Sequence, residues 1–173
     1  NNQAIAKTKG EFVLLLNPDT LVEEDALEKT IAFIQSTADA GAVGVHMVDG
    51  KGMFLDESKR GIPGFSTSLF KFLGLHKLLT KSATFNHYYL GSFDKDKRHE
   101  VEVLVGAFML IRKSIFEKIG LLDERFFMYW EDTDFCMRIR ENGFKNYYLG
   151  DVIIIHYKGE SNKRHTLSFT IGF

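Results

Sequence analysis

Two short runs, Phe12–Leu16 (FVLLL) and Val152–Ile155 (VIII), are apolar at every position, and each stops on residues able to do chemistry. The first runs into Asn17-Pro18-Asp19-Thr20 and the second into His156. A wholly apolar run of this length, bounded by Gly10 and Pro18 in the first case, suits a buried strand. Open α/β sheets place their ligands at the carboxyl ends of such strands. A chain carrying both runs is therefore constrained to a sheet covered by helices, with Asp19 and His156 emerging at strand ends.

The rest of the chain reads as alternating strands and helices. Residues 1–9 resemble the tail of a helix ending at Gly10. Residues 22–36 set Leu27, Ile31 and Ile34 at helical spacing behind Glu23-Glu24-Asp25, an acidic start that suits the positive end of a helix dipole. Ala42–Val48 reads as a strand closed by the turn signal Asp49-Gly50. Glu100–Ile111 alternates and then runs apolar, again strand-like; Ser114–Ile119 is a short helix stopped by Gly120. Glu131–Glu141 is an amphipathic helix ended by Asn142-Gly143, and Asn146–Tyr148 and Val152–Tyr157 read as the last strands. Residues 158–173 are polar and expected to be a mobile tail. The fold class is α/β with a mixed sheet.

Composition narrows the partners. With 173 residues, 45% of them apolar, the chain suits one well-buried domain. Lys+Arg 22 against Asp+Glu 23 gives no basic excess, so no nucleic-acid backbone is expected as partner. Cys136 is the single cysteine, which excludes an internal disulfide or a cysteine-built zinc site and suits a reducing compartment. No apolar run approaches the length of a membrane span. The 68–79 insert, SLFKFLGLHKLL, interleaves Leu and Phe with Lys. It suits an amphipathic helix that covers a cleft, rests on a membrane surface or packs on the core.

The chemistry concentrates in Phe126–Gly143, FFMYWEDTDFCMRIRENG. Glu131-Asp132 follows an aromatic run at the first turn of a helix. Such a pair either serves the helix dipole or supplies a general base. Asp134 and Arg138, four apart, read as an ion pair; Phe135 and Ile139 face the core, and Asp132 shares a face with Cys136 beside that stripe. Asp19 either caps a turn or offers a hard oxygen ligand to a divalent cation carrying a diphosphate. His156 is either a satisfied structural histidine or a metal ligand. The other five histidines, at 46, 76, 87, 99 and 165, show no ligand spacing.

The order NNQAIAKTKGEFVLLLNPDT, VEVLVGAFMLIRKSIFEKIGLLDERFFMYWEDTDFCMRIRENGF, DVIIIHYKGES resembles the family 2 glycosyltransferases with the GT-A fold, nearest to their rhamnosyltransferase-like bacterial members. The matching blocks are spread over nearly the whole chain. The resemblance implies an inverting transfer from a nucleoside-diphosphate sugar, assisted by Mg²⁺ or Mn²⁺, to a saccharide or lipid-linked acceptor in cell-surface polysaccharide synthesis. It assigns Asp132 as catalytic base, and Asn17, Asp19 and Gly106 to the donor. Ala107, Trp130 and Glu131 go to the acceptor, and Asp19 with His156 to the metal. Asn17 stands where the commoner DXD pattern has its first Asp, a departure that bears on metal binding at that position.

The resemblance also implies a strand and loops for the nucleotide ahead of Asn1, so that residues 1–173 read as the catalytic and acceptor-side portion of one domain. An exposed sheet edge in such a portion invites self-association. The expected setting is the cytoplasm, at the inner face of the membrane. A non-catalytic glycan-binding module held by self-association is the competing reading. A metal-dependent phosphohydrolase built on Asp19 and His156 is a weaker third, since a two-metal site wants further ligands.

Overall fold

The computed structural model describes residues 1–61, 93–126 and 130–157. The expectations for the 68–79 insert and the 158–173 tail fall outside these residues. The elements run α1 (Asn2–Ile5), β1 (Phe12–Leu16), β2 (Thr20–Val22), α2 (Ala26–Ser36), β3 (Ala40–Val48), a 3₁₀ turn (Asp56–Ser58), β4 (Arg98–Val101), β5 (Phe108–Arg112), α3 (Lys113–Ile119), α4 (Glu131–Glu141) and β6 (Lys145–His156).

The sheet is mixed, in the order β1-β5-β3-β6-β2, with β4 also pairing β6. β3 and β6 are parallel, β5 is antiparallel to both β1 and β3, and β2 and β4 are antiparallel to β6. β1, β3 and β6 therefore point the same way and end on one edge. The start of β5 and the start of β2 lie on that edge too, because Leu16 pairs with Phe108 and Thr20 with His156.

Both faces of the sheet are covered, which explains runs that do not alternate. Along β5, Met109 and Ile111 join the cluster holding Ile115, Phe116, Phe135, Cys136 and Ile139 from α3 and α4. Phe108 and Leu110 join the opposite cluster with Ala26 and Ile34 from α2. The expected core stripe of α4, Phe135 and Ile139, is fully buried. Gly120 ends α3 at φ 84°, a left-handed conformation that a glycine adopts without a side-chain clash.

Four local expectations change. The helix at the amino end is only Asn2–Ile5, not a run to residue 9. α2 buries Ala26, Thr30 and Ile34 and packs Ile31 on the same cluster, so of the expected stripe only Leu27, 41% exposed, lies off the core face. The expected strand from Glu100 to Ile111 breaks after Val101. There Val103 turns to pair with Arg60, and the Leu104 N–H contacts the Cys136 sulfur at 3.4 Å. Conversely, the two expected carboxy-terminal strands are one strand of 12 residues, β6. Its irregularity falls where Val45 pairs with Leu149 but His46 pairs with Ile153.

Gly150 occupies that irregularity. Its N–H donates to the Lys97 carbonyl at 3.1 Å, and the Tyr148 hydroxyl donates to the Lys95 carbonyl at 2.6 Å. A Cβ on Gly150 would overlap the backbone of Lys95–Lys97. Gly150→Ala is expected to lower stability by about 1–3 kcal/mol in chemical denaturation, as overpacking against backbone does. Cys136 yields a second expectation. Burial pushes its thiol up to about 12, so at pH 8 it stays protonated and unreactive. A colourless-to-coloured disulfide reagent should label it only after denaturant is added.

Candidate active site

The sheet edge described above gathers most of the residues singled out in the sequence. β1 ends at Leu16, and the Asn17 N–H donates to the Ala107 carbonyl at 3.0 Å, tying the Asn17-Pro18-Asp19 turn to the start of β5. Directly after that turn, Thr20 pairs with His156, and the Tyr157 N–H donates to the Asp19 carbonyl at 2.8 Å. Backbone pairing therefore sets Asp19 against His156: Asp19 Oδ1 lies 3.3 Å from His156 Nε2, and both side chains are largely buried. His156 Nδ1 is buried without a hydrogen-bond partner among the described residues. With Nε2 protonated, the imidazole donates to the carboxylate; with Nε2 bare, both groups turn lone pairs toward one point.

Of the two side chains, Asp19 offers the hard oxygen that Mg²⁺ or Mn²⁺ prefers, and His156 the softer nitrogen of an imidazole. Two adjacent corners of an octahedron with bonds near 2.1 Å lie about 3 Å apart, close to the spacing seen here. No group of three or more His, Cys, Asp or Glu able to hold a metal occurs among the described residues. A cation held by only these two side chains would keep its remaining positions for phosphate and water.

Asp132 stands at the first turn of α4, where three segments converge. Its Oδ1 accepts from the Thr133 N–H at 2.7 Å and the Thr133 hydroxyl at 3.2 Å. Its Oδ2 accepts from the Gly106 N–H at 3.4 Å and from Arg60 Nη2 at 2.8 Å. A Cβ placed on Gly106 would meet Asp132 Cβ at 3.9 Å, an ordinary contact, so the chain itself leaves room there. Ala107 is buried, with its carbonyl engaged by Asn17, so only its backbone faces the edge. Asp134 takes Arg138 at 2.7 Å as its spacing suggests, and Arg138 also donates to the Ile119 and Leu121 carbonyls. That carboxylate is structural.

On the other side of Asp132, Trp130 caps α4 in a left-handed conformation, φ 76°, with its indole 49% exposed. A bulky residue held at positive φ stores strain of about 1–3 kcal/mol, which persists only where the surroundings impose it. Glu131 lines a cleft of about 430 Å³ with Asn1, Asn2, Gln3, Leu122 and Glu124, among others, and its Oε2 is buried without a partner among the described residues. Asn2 builds the floor of that cleft: its amide donates to the Leu122 carbonyl at 2.8 Å and accepts from the Leu122 N–H at 3.1 Å.

Arg60 and Asn2 had no signal in the sequence. Arg60 lies in a Gly-, Ser- and Lys-rich stretch without periodicity, and its relation to Asp132 depends on the bridge to Val103. Asn2 acts through a backbone far along the chain.

Comparison with known proteins agrees with this architecture. A family model described as glycosyltransferase like family 2 matches residues 1–168. The chain is similar to the rhamnosyltransferase WbbL of Escherichia coli (strain K12), 28% identical over 94% of this chain and 61% of that protein. It is also similar to the low-salt glycan biosynthesis hexosyltransferase Agl10 of Haloferax volcanii, 28% identical over 93% of this chain and 47% of that protein. A third relative is the N-acetylglucosaminyl-diphospho-decaprenol L-rhamnosyltransferase of Mycobacterium tuberculosis, 27% identical over 91% of this chain and 50% of that protein. The chain spans about half to three-fifths of the length of these curated relatives. No helix among the described residues is long and apolar enough to cross a membrane. With a family model matched across nearly its whole length, the chain belongs to the glycosyltransferase like family 2.

Proposed function

We propose that the protein moves a sugar, rhamnose or a related hexose, from a nucleoside-diphosphate sugar to a saccharide or lipid-linked acceptor, inverting the anomeric carbon. The observation that carries this is the convergence on one sheet edge of an Asp–His pair and a separately held carboxylate. The hydrogen bond from Asn17 to Ala107 links the two, since Ala107 adjoins Gly106, whose N–H meets Asp132. Inverting transfer needs these two groups at opposite ends of one displacement.

Asp132 takes the proton of the acceptor hydroxyl as its oxygen forms a bond to the anomeric carbon. The bond from that carbon to the phosphate oxygen breaks, and its electron pair leaves with the nucleoside diphosphate. Asp19 and His156 would hold Mg²⁺ or Mn²⁺, which when bound supplies charge compensation for the diphosphate. Asn17, Asp19 and the side-chain-free Gly106 form the donor side. Trp130 offers an exposed aromatic face for a sugar ring, Glu131 an oxygen without a partner among the described residues for an acceptor hydroxyl, and Ala107 a close backbone beside Gly106. The names of the relatives support rhamnosyl or hexosyl transfer and, in the mycobacterial case, a polyprenyl-diphosphate acceptor. Peripheral contact with the membrane that carries such an acceptor, and self-association along the sheet edge, belong to the same reading.

Asp132→Asn in the full-length protein is expected to lower turnover by roughly 10²–10⁴-fold with donor binding nearly intact. Glu131→Gln should fall mainly on acceptor KM, and Asp134→Asn should do little. The assay is release of nucleoside diphosphate from dTDP-rhamnose with a polyprenyl-diphospho-N-acetylglucosamine acceptor, beside a panel of other nucleotide sugars. Near-normal turnover of Asp132→Asn contradicts the assignment; glycan binding without transfer from any donor favours a non-catalytic module. Chelation by EDTA should abolish transfer and Mn²⁺ restore it, with Asp19→Asn and His156→Gln each raising the Mn²⁺ concentration required. Metal-independent transfer contradicts that half of the proposal.

A further inference from the structure

The mechanism above leaves Arg60 without a task, yet the fold places it with care. The 3₁₀ turn before it is pinned to β3, where Ser58 Oγ accepts from the Met47 N–H at 3.1 Å and donates to the Leu55 carbonyl at 2.6 Å. Arg60 itself exchanges both backbone hydrogen bonds with Val103, at 3.1 and 2.9 Å. Its guanidinium then reaches Asp132 Oδ2 at 2.8 Å, the two side chains being 18% and 13% exposed. A partly buried charge pair of this kind is screened far less by salt than a surface pair. The cations of α4 itself are engaged elsewhere, Arg138 by Asp134 at 2.7 Å and Arg140 by Glu102 at 3.5 Å.

The consequence is geometric. Thr133 holds one carboxylate oxygen and Arg60 with Gly106 holds the other, so rotation of the carboxylate about its last bond breaks hydrogen bonds on both sides. A base that must meet a hydroxyl proton within hydrogen-bond reach gains rate from being held in one orientation.

We propose that Arg60 is a positioning residue for transfer, fixing the Asp132 carboxylate through its Oδ2 so that one orientation faces the acceptor hydroxyl. The inference rests on Asp132 being the base. Arg60 does not hold the donor diphosphate in this scheme; its guanidinium acts through Asp132.

The test is a double-mutant cycle in the full-length protein, assayed from sub-saturating to saturating dTDP-rhamnose, or whichever nucleotide sugar the panel selects. Arg60→Gln is expected to lower kcat by about 10²-fold, with donor KM and the thermal unfolding midpoint nearly unchanged. Arg60→Lys, which keeps the charge but not the planar donor, should recover part of that loss. In an Asp132→Asn background, Arg60→Gln should lower the residual single-turnover rate no further, because residues acting as one unit are not additive. A rise in donor KM with kcat preserved, or an equal loss of rate in both backgrounds, overturns the inference and leaves the base assignment standing. Near-normal turnover of Asp132→Asn alone instead removes the base assignment. Should Arg60→Gln fail to fold, the same comparison is made with Arg60→Lys, where an undiminished kcat overturns the proposal.

Discussion

Strand β6 hydrogen-bonds to three partners, and the positions of Asn17, Asp19 and His156 follow from that. β3 runs parallel to it from Lys145 to Ile155, β4 pairs with its first half and β2 with its last three residues. The pairing of β2 is the decisive one. A three-residue strand has little stability alone; here it is held by a long buried neighbour. It carries the Asn17–Asp19 turn to the His156 end of the sheet, and Asn17 in turn reaches back to Ala107 on the far side of β3. The edge is thus laced together by backbone hydrogen bonds, and its side chains inherit fixed positions from them.

The inner strands were legible because burial on both faces leaves a plain sign, as from Phe108 to Ile111 of β5; the VIII run is equally apolar although Ile153 is exposed. The runs FVLLL and VIII appear as β1 and the second half of β6, and the strand ends predicted to carry Asp19 and His156 do carry them. The ion pair of Asp134 and Arg138 was legible for the same local reason, four residues on one helix face. What failed was the reading of continuity. Val101–Ile111 is apolar enough for one strand, but Val103 pairs with Arg60, a partner that no local pattern announces. Gly150-Asp151 looked like a break between strands, yet the strand passes through it by a register shift that accommodates the Lys95–Lys97 backbone. Leu27 fitted a helical stripe on spacing alone, while the buried face of α2 joins Ile34 and Ile31 to the smaller Ala26 and Thr30.

The candidate site shows the same division. Asp132 was legible as an acidic residue beside a core stripe. That its two oxygens would be held from α4, from the loop before β5 and from Arg60 was not, because those groups meet only in the folded chain. Burial divides the candidate residues. The Asp19–His156 pair is largely buried and mutually engaged, Trp130 is exposed, and one Glu131 oxygen is buried without a partner among the described residues. Burial strengthens the electrostatic interactions of the Asp19–His156 pair.

The central claim is that the Asp19–His156 pair and Asp132 serve one reaction from one edge of the sheet. Anomalous diffraction from crystals of the full-length protein grown with Mn²⁺ and a nucleoside diphosphate tests it most directly. The account predicts a manganese peak bound to Asp19 or His156 directly or through one water, with the terminal phosphate directed toward Gly106 and Asp132. A manganese peak and diphosphate bound at the opposite edge of the sheet would contradict it.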